Sequence, residues 1–176
     1  MMSTEAAPPS KPEQAPKGST GLQSPKSYKN RRRLSRELAL QGIYQWQIAG
    51  GSARDIDAQL QQVNFYGRAD GSYFTDLLQG VLQHAPDLQT QLQSHLDRPM
   101  AELSPVECAI LLIGAYEMAH HPEIPYRAII NEAIELAKSY GGTDGHKYIN
   151  GVLDKLAARL RATELQQSPS RNRSPD

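Results

Sequence analysis

The sequence is short of several things that would point to a defined chemistry. It has one cysteine, Cys108, so no internal disulfide framework is available, and a reducing compartment is the simplest setting. Long apolar runs are missing: the longest, Cys108 to Ile113, falls far below the roughly 20 residues that span a bilayer. The first residues, "MMSTEAAPPSKPEQ", lack an apolar stretch behind a basic start and do not resemble a secretory signal, so a cytoplasmic protein is expected. Net charge is absent as well, with 19 basic against 19 acidic residues, which argues against a protein that coats nucleic acid at large. No strand-like alternation, internal repeat, catalytic triad or paired carboxylates can be found. Adjacent His120 and His121 would point in different directions on a helix, and His84, His95 and His146 are isolated, so no metal site is expected. "GGTDGHK" lacks the spacing of a phosphate loop and reads as a helix stop and restart. Cys108 has no nucleophile context and reads as packing. No cofactor and no enzymatic activity are expected.

What is present is helical. Residues 1–29, and the end "QQSPSRNRSPD" (166–176), hold seven of the twelve prolines and few large apolar side chains, so both read as disordered tails around a folded core of 30–165. In the core, "SARDIDAQLQQVNF" aligns Ile56, Leu60 and Val63 behind Ser52 as a cap. "YFTDLLQGVLQ" repeats the pattern, and Pro86 is expected to interrupt it before a new stripe of Leu88, Leu92 and Leu96. Ser104, Pro105 and Glu107 make a strong helix start, with a capping box. "PYRAIINEAIELAKSYGG" should stop at its glycines, and a last helix is expected from about Asp144 to Leu165. The fold class is all-α, with about seven helices.

Against this neutral background one stretch stands out, "KNRRRLSRELALQGIYQWQ", Lys29 to Gln47. From Gln14 to Arg36 there are seven Lys or Arg residues and no acid. The helix behind it is apolar on two sides, through Ala39, Ile43 and Trp46 and through Leu34, Leu38, Tyr44 and Ile48, so it is expected between two groups of helices. Arg31, Arg32 and Arg33 are placed in its exposed first turn. Cations there oppose the helix dipole at a few tenths of a kcal/mol each. A solvated basic end would tolerate that cost; a phosphate site, where free amides and guanidinium forks converge, would use it, and is favoured. Further along, Lys147 and Lys155 fall on the outward side of the last helix with Tyr148 at the margin. They could extend a basic surface with a stacking ring, or be solvated lysines beside a peripheral core residue.

Four segments taken together, "RRRLSRELALQGIYQWQ", "YFTDLLQGV", "PVECAILLIGAYEM" and "IPYRAIINEAIELAKSYGGTDGHKYINGVLDK", resemble the NusB family of bacterial transcription antitermination factors over about Asn30 to Leu165. The resemblance implies two small helical bundles packed together. It implies binding to boxA, a single-stranded element of nascent (notably ribosomal) RNA, and pairing with NusE, a small-subunit ribosomal protein. It further implies joining RNA polymerase and other Nus factors to suppress premature termination. By the same resemblance Arg31, Arg32, Arg33, Arg36 and Lys147 are RNA contacts. Tyr44, Glu107, Asp144 and Tyr148 belong in or near the surface shared by RNA and protein partner. Leu112 and Cys108 stand where many members carry a basic residue, and Tyr148 replaces the more usual Phe. The N-terminal tail is extra, and its Lys17, Lys26 and Lys29 are expected to add nonspecific RNA affinity. Two other readings compete: an interaction module with a merely solvated basic end, and an RNA-modifying enzyme, which would need a second, cofactor-binding domain for which these 176 residues show no glycine-rich strand-to-helix turn.

Overall fold

The computed structural model describes residues 25–167, so 1–24 of the expected tail 1–29 and 168–176 of the expected tail 166–176 lie outside the described residues. Its elements are seven helices: α1 (Pro25–Ala49), α2 (Ala53–Leu60), α3 (Gly71–Gln93), α4 (Pro105–His120), α5 (Tyr126–Tyr140), α6 (Gly145–Leu160) and α7 (Ala162–Gln167). Short 3-10 turns at Tyr66–Arg68 and Met100–Glu102 precede α3 and α4. Helices α1, α2 and α3 pack on one another, as do α4, α5 and α6. The two bundles join where α4 meets α1 and α3.

The helix starts follow local chemistry. Ser52 Oγ accepts from Asp55 N, Asp70 from Tyr73 N and Ser104 Oγ from Glu107 N, each satisfying an amide that the helix itself leaves unpaired. Proline at the first position of α4 gives up an N–H that had no partner there anyway. Gly141 caps α5.

Five expectations need correction. The folded part begins upstream of Asn30, because α1 already starts at Pro25. Arg31, Arg32 and Arg33 therefore lie beyond its first turn, and the free amides of the helix start are not beside them. The helix wrapped on all sides is α4, in which every residue from Cys108 to Met118 is buried. Helix α1 buries Leu38, Ala39, Leu40 and Ile43 but leaves Tyr44 and Ile48 exposed.

Pro86 sits inside α3 without ending it. A proline there removes one backbone bond and costs about 3 kcal/mol. Leu77, Leu78 and Val81 before it, and Leu88 and Leu92 after it, all bury on the same core, which offsets that cost. The last expected helix is two. α6 stops at Arg161, whose buried guanidinium donates to the carbonyls of Met118, His121 and Ile124 and to Glu164. Those bonds tie the α4–α5 connection to the junction of α6 and α7.

Glycine matters most at Gly80 in mid-α3. A Cβ there would lie 2.1 Å from the Tyr116 ring, so only glycine lets that ring lie flat across the helix. Tyr116 then donates to Asp76 at 3.0 Å and stacks on His120.

Candidate nucleic-acid interface

The arginine stretch is built into the junction between bundles. Ser35 Oγ donates to the Asp70 carbonyl at 2.7 Å, with the Arg31 carbonyl 3.1 Å away, and Asp70 N donates to Arg31 O, so this turn of α1 is bonded directly to the start of α3. The four arginines then diverge. Arg36 is buried; its Nε and Nη2 donate to Glu117 at 2.8 and 2.9 Å, and Tyr73 Oη donates to the same carboxylate at 2.7 Å. Burial opposes the Arg36 charge, but the Glu117 carboxylate outweighs it and raises the pKa; burial raises that of the Tyr73 phenol. Arg36 is thus the charge that balances Glu117 in the core. The expectation that Arg36 is an RNA contact is corrected by this burial and pairing, since releasing it would strand a buried carboxylate.

Arg33 makes a two-pronged contact with Glu132 on α5, at 3.0 and 3.1 Å, which raises its pKa, and keeps part of its surface in solvent. Arg31 reaches the Ala69 carbonyl at 3.5 Å. Arg32 lies over aromatic rings, 4.4 Å from the Tyr73 centroid and 4.7 Å from that of Tyr28.

A second cluster forms where α6 starts. Glu107, Asp144 and Tyr148 line one depression of about 370 Å³, with Arg98, Gly142, Thr143 and Gly145. Tyr148 packs one side against the core and donates its hydroxyl to Asp97 at 3.0 Å, while Arg98 lies 5.0 Å from its ring centroid. The Arg98 guanidinium, and after it the Tyr148 hydroxyl, holds the Asp97 carboxyl below the usual range. Burial, then the Asp97 contact, raises the Tyr148 phenol. Lys147 pairs with Asp144 at 3.4 Å in full view of solvent. The arrangement offers a partly open ring, two cationic donors (Arg98 and Lys147) and three carboxylate acceptors (Asp97, Glu107 and Asp144), which suits a nucleobase with its phosphate on the cations.

The two clusters share a frame. Arg36 meets Glu117 near the end of α4, whereas Gln47 Nε2 donates to Pro105 O at its beginning, so α1 runs antiparallel to α4. Glu107 and Glu117 are ten residues apart on α4, about 15 Å at 1.5 Å per residue. Tyr44 projects from α1, exposed, and lines neither cluster. Beside it, a broad groove of about 670 Å³ is lined by Trp46, Ile48, Met100, Leu103, Pro105 and Cys108. Burial pushes the Cys108 thiol up to about 11, consistent with packing. Leu112 is wholly buried. Among the described residues no group of three or more His, Cys, Asp or Glu is placed to hold a metal ion, and no helix is long and apolar enough to cross a membrane.

Sequence reasoning missed Tyr28, Tyr73, Arg98, Glu117, Glu132 and Arg161. One had a signal: Glu117 is a lone carboxylate inside "AILLIGAYEMA", and a buried acid requires a partner.

A model described as the NusB family matches residues 33–158. The chain belongs to the NusB family. It is 74% identical over 175 residues to a transcription antitermination protein NusB of Nitrosomonas eutropha, covering 99% of each chain. The corresponding protein of Bordetella pertussis is 51% identical over 154 residues, 85% of this chain and 100% of that one. Among solved structures, T. maritima NusB aligns with a TM-score of 0.60 at 26% identity, covering 72% of this chain and 89% of that one. A crystal structure of the antitermination factors NusB and NusE in complex with double-stranded RNA aligns with a TM-score of 0.63 at 19% identity, over 74% and 98% of the two chains, and shares the fold. The NusB match spans Arg33, Arg36, Tyr44, Glu107, Asp144, Lys147 and Tyr148, and begins just after Arg31 and Arg32.

Proposed function

We propose that this chain is an RNA-binding transcription antitermination factor. With NusE, a small-subunit ribosomal protein, it holds the boxA element of nascent ribosomal RNA, and as part of a complex with other Nus factors it helps RNA polymerase resist premature termination in the cytoplasm. It acts by binding rather than by catalysis. The observation that carries the reading is the presence of two guanidinium-and-ring clusters, one bonded to Glu117 near the end of α4 and one beside Glu107 near its beginning, in a chain with no net charge. Arg31, Arg32, the exposed part of Arg33 and Lys147 contact phosphates, which position the strand; Tyr148 stacks a base, which contributes selectivity. Tyr44, Glu107, Asp144 and the edge of Tyr148 face the protein partner, and the neighbouring groove at Trp46 and Ile48 gives that contact an apolar component. Arg36 supports this surface from within.

RNA and partner then strengthen each other's binding by the same factor. The test is a titration of labelled boxA-type RNA and a scrambled control, single-stranded and duplex, with and without the ribosomal protein. Selective binding that tightens with the partner is expected. Substituting Arg32→Glu should abolish RNA binding while the partner still binds. Equal weak binding to all RNAs, unmoved by the partner, would leave an interaction module whose arginines only solvate or brace a helix.

A further inference from the structure

Three consecutive arginines occupy one helix turn, and only two are held by a hydrogen bond or ion pair; Arg32 is felt by the Glu123 carboxylate without pairing to it. Arg33 is braced by Glu132, and Arg31 reaches the Ala69 carbonyl. Arg32 has no ion pair among the described residues; its Nε is buried and has no hydrogen-bond partner there. Two rings hold it instead. Tyr73, at the start of α3, is 4% exposed and immobilised by its bond to Glu117 and the Arg36 contact at 3.3 Å. Tyr28, one turn upstream of Arg32 on α1, is 44% exposed and lies on the guanidinium as well. Attraction of a cation to ring faces is met more often with a guanidinium, whose plane can lie along the ring.

A guanidinium with rings against it keeps only its in-plane N–H donors for a ligand, and a pair of such donors matches a phosphate. A free surface arginine loses much rotamer freedom when it grips a phosphate; one already clasped has lost it beforehand. The inner ring belongs to the core. The outer ring exists only because α1 extends to Pro25, upstream of the stretch that the family model matches.

We propose that Tyr28 is a positioning residue for RNA binding: with Tyr73 it clamps Arg32 as a preformed phosphate receptor. The proposal rests on the RNA-binding reading and adds to it a role for the upstream turns of α1.

The experiment measures the affinity of the full chain for a labelled single-stranded boxA-type RNA at several salt concentrations. Tyr28→Ala weakens binding about two- to tenfold, the weight of one long side chain's ordering. The salt slope stays as in the unsubstituted chain, because no charge is lost. Tyr28→Phe binds like the unsubstituted chain. Arg32→Ala weakens binding and lowers the slope by about 0.7, one phosphate's share for a single strand. In the Arg32→Ala background, Tyr28→Ala has no further effect. The thermal midpoint of Tyr28→Ala is unchanged, which separates positioning from folding. Tyr28→Ala binding like the unsubstituted chain overturns the proposal. So does an equal loss in the Arg32→Ala background, which would assign Tyr28 to direct contact with a base. If the unsubstituted chain binds no RNA, the underlying reading fails first, and is seen to fail before any variant is compared.

Discussion

Arg36 meets Glu117 at 2.8 Å near the end of α4, and Arg98 meets Asp97 at 2.9 Å near its beginning. The side chains of the first pair are 7% and 2% exposed, those of the second 46% and 65%. Nearly identical distances therefore describe different physics. Water competes for both partners at Asp97, so that pair can open at little cost when a ligand arrives. At Glu117 no water can take over, and the pair is a condition of the fold. Arg33–Glu132 lies between, with one partner 40% exposed and the other 8%. The protein thus uses one chemical contact in three grades, from structural to adaptable, and it is the adaptable end that suits a binding surface.

This grading can be broken by substitution. Glu117→Ala leaves Arg36 buried and uncompensated and should cost about 3–5 kcal/mol, read as a lowered urea midpoint. Replacing both partners, Arg36→Met with Glu117→Leu, should recover much of that loss; a double variant as unstable as the single would mean the network matters for more than charge. Glu132→Ala should cost about 1 kcal/mol, a figure discounted because Arg33 is 40% exposed. Arg98→Ala should leave stability unresolved from the unsubstituted chain yet weaken RNA binding severalfold. If Arg98→Ala destabilised the protein as Glu132→Ala does, the contrast between the two regions would fail.

The smallest expected effect concerns pH. Burial lowers the affinity of His121 for a proton, but Glu123 at 2.7 Å and Asp76 at 2.6 Å outweigh it and raise its pKa. The folded state then holds this proton more tightly than the unfolded one. The stability gained is fully present below the unfolded value near 6.5 and is lost as pH rises through the higher folded value. The difference in stability between the unsubstituted chain and His121→Gln should accordingly be larger at pH 5.5 than at pH 8.5. Burial, with His84 and His121 nearby, lowers the pKa of His120, whose contribution has the opposite sign, which is why the comparison needs the substituted chain.

Much of the fold was legible because its signals are local. Ser52 and Ser104 announce helices within four residues, and Gly141 ends one. The errors came where distant residues decide. Pro86 does not break α3 because leucines on both sides of it are buried by other helices. α6 ends at Arg161 for the sake of carbonyls around residue 120. The candidate site was legible as residue types and only partly as roles. That Arg36 is buried depends on Glu117, 81 residues away, and Arg33's brace is 99 residues away. Nothing in "RRRLSR" itself separates the arginine that balances a core carboxylate from the one that lies against two rings.

The Arg161 bonds also set an order of events. The turn between α4 and α5 is held by a side chain almost 40 residues downstream, near the end of the described chain. A chain growing from its N-terminus completes α1 through α4 first and has their apolar faces to bury while that turn is still unpinned. The α4–α5 turn gains these bonds only after Arg161 has been made, so the growing chain passes through an interval in which its arginine-bearing half is assembled and the second bundle is not yet pinned.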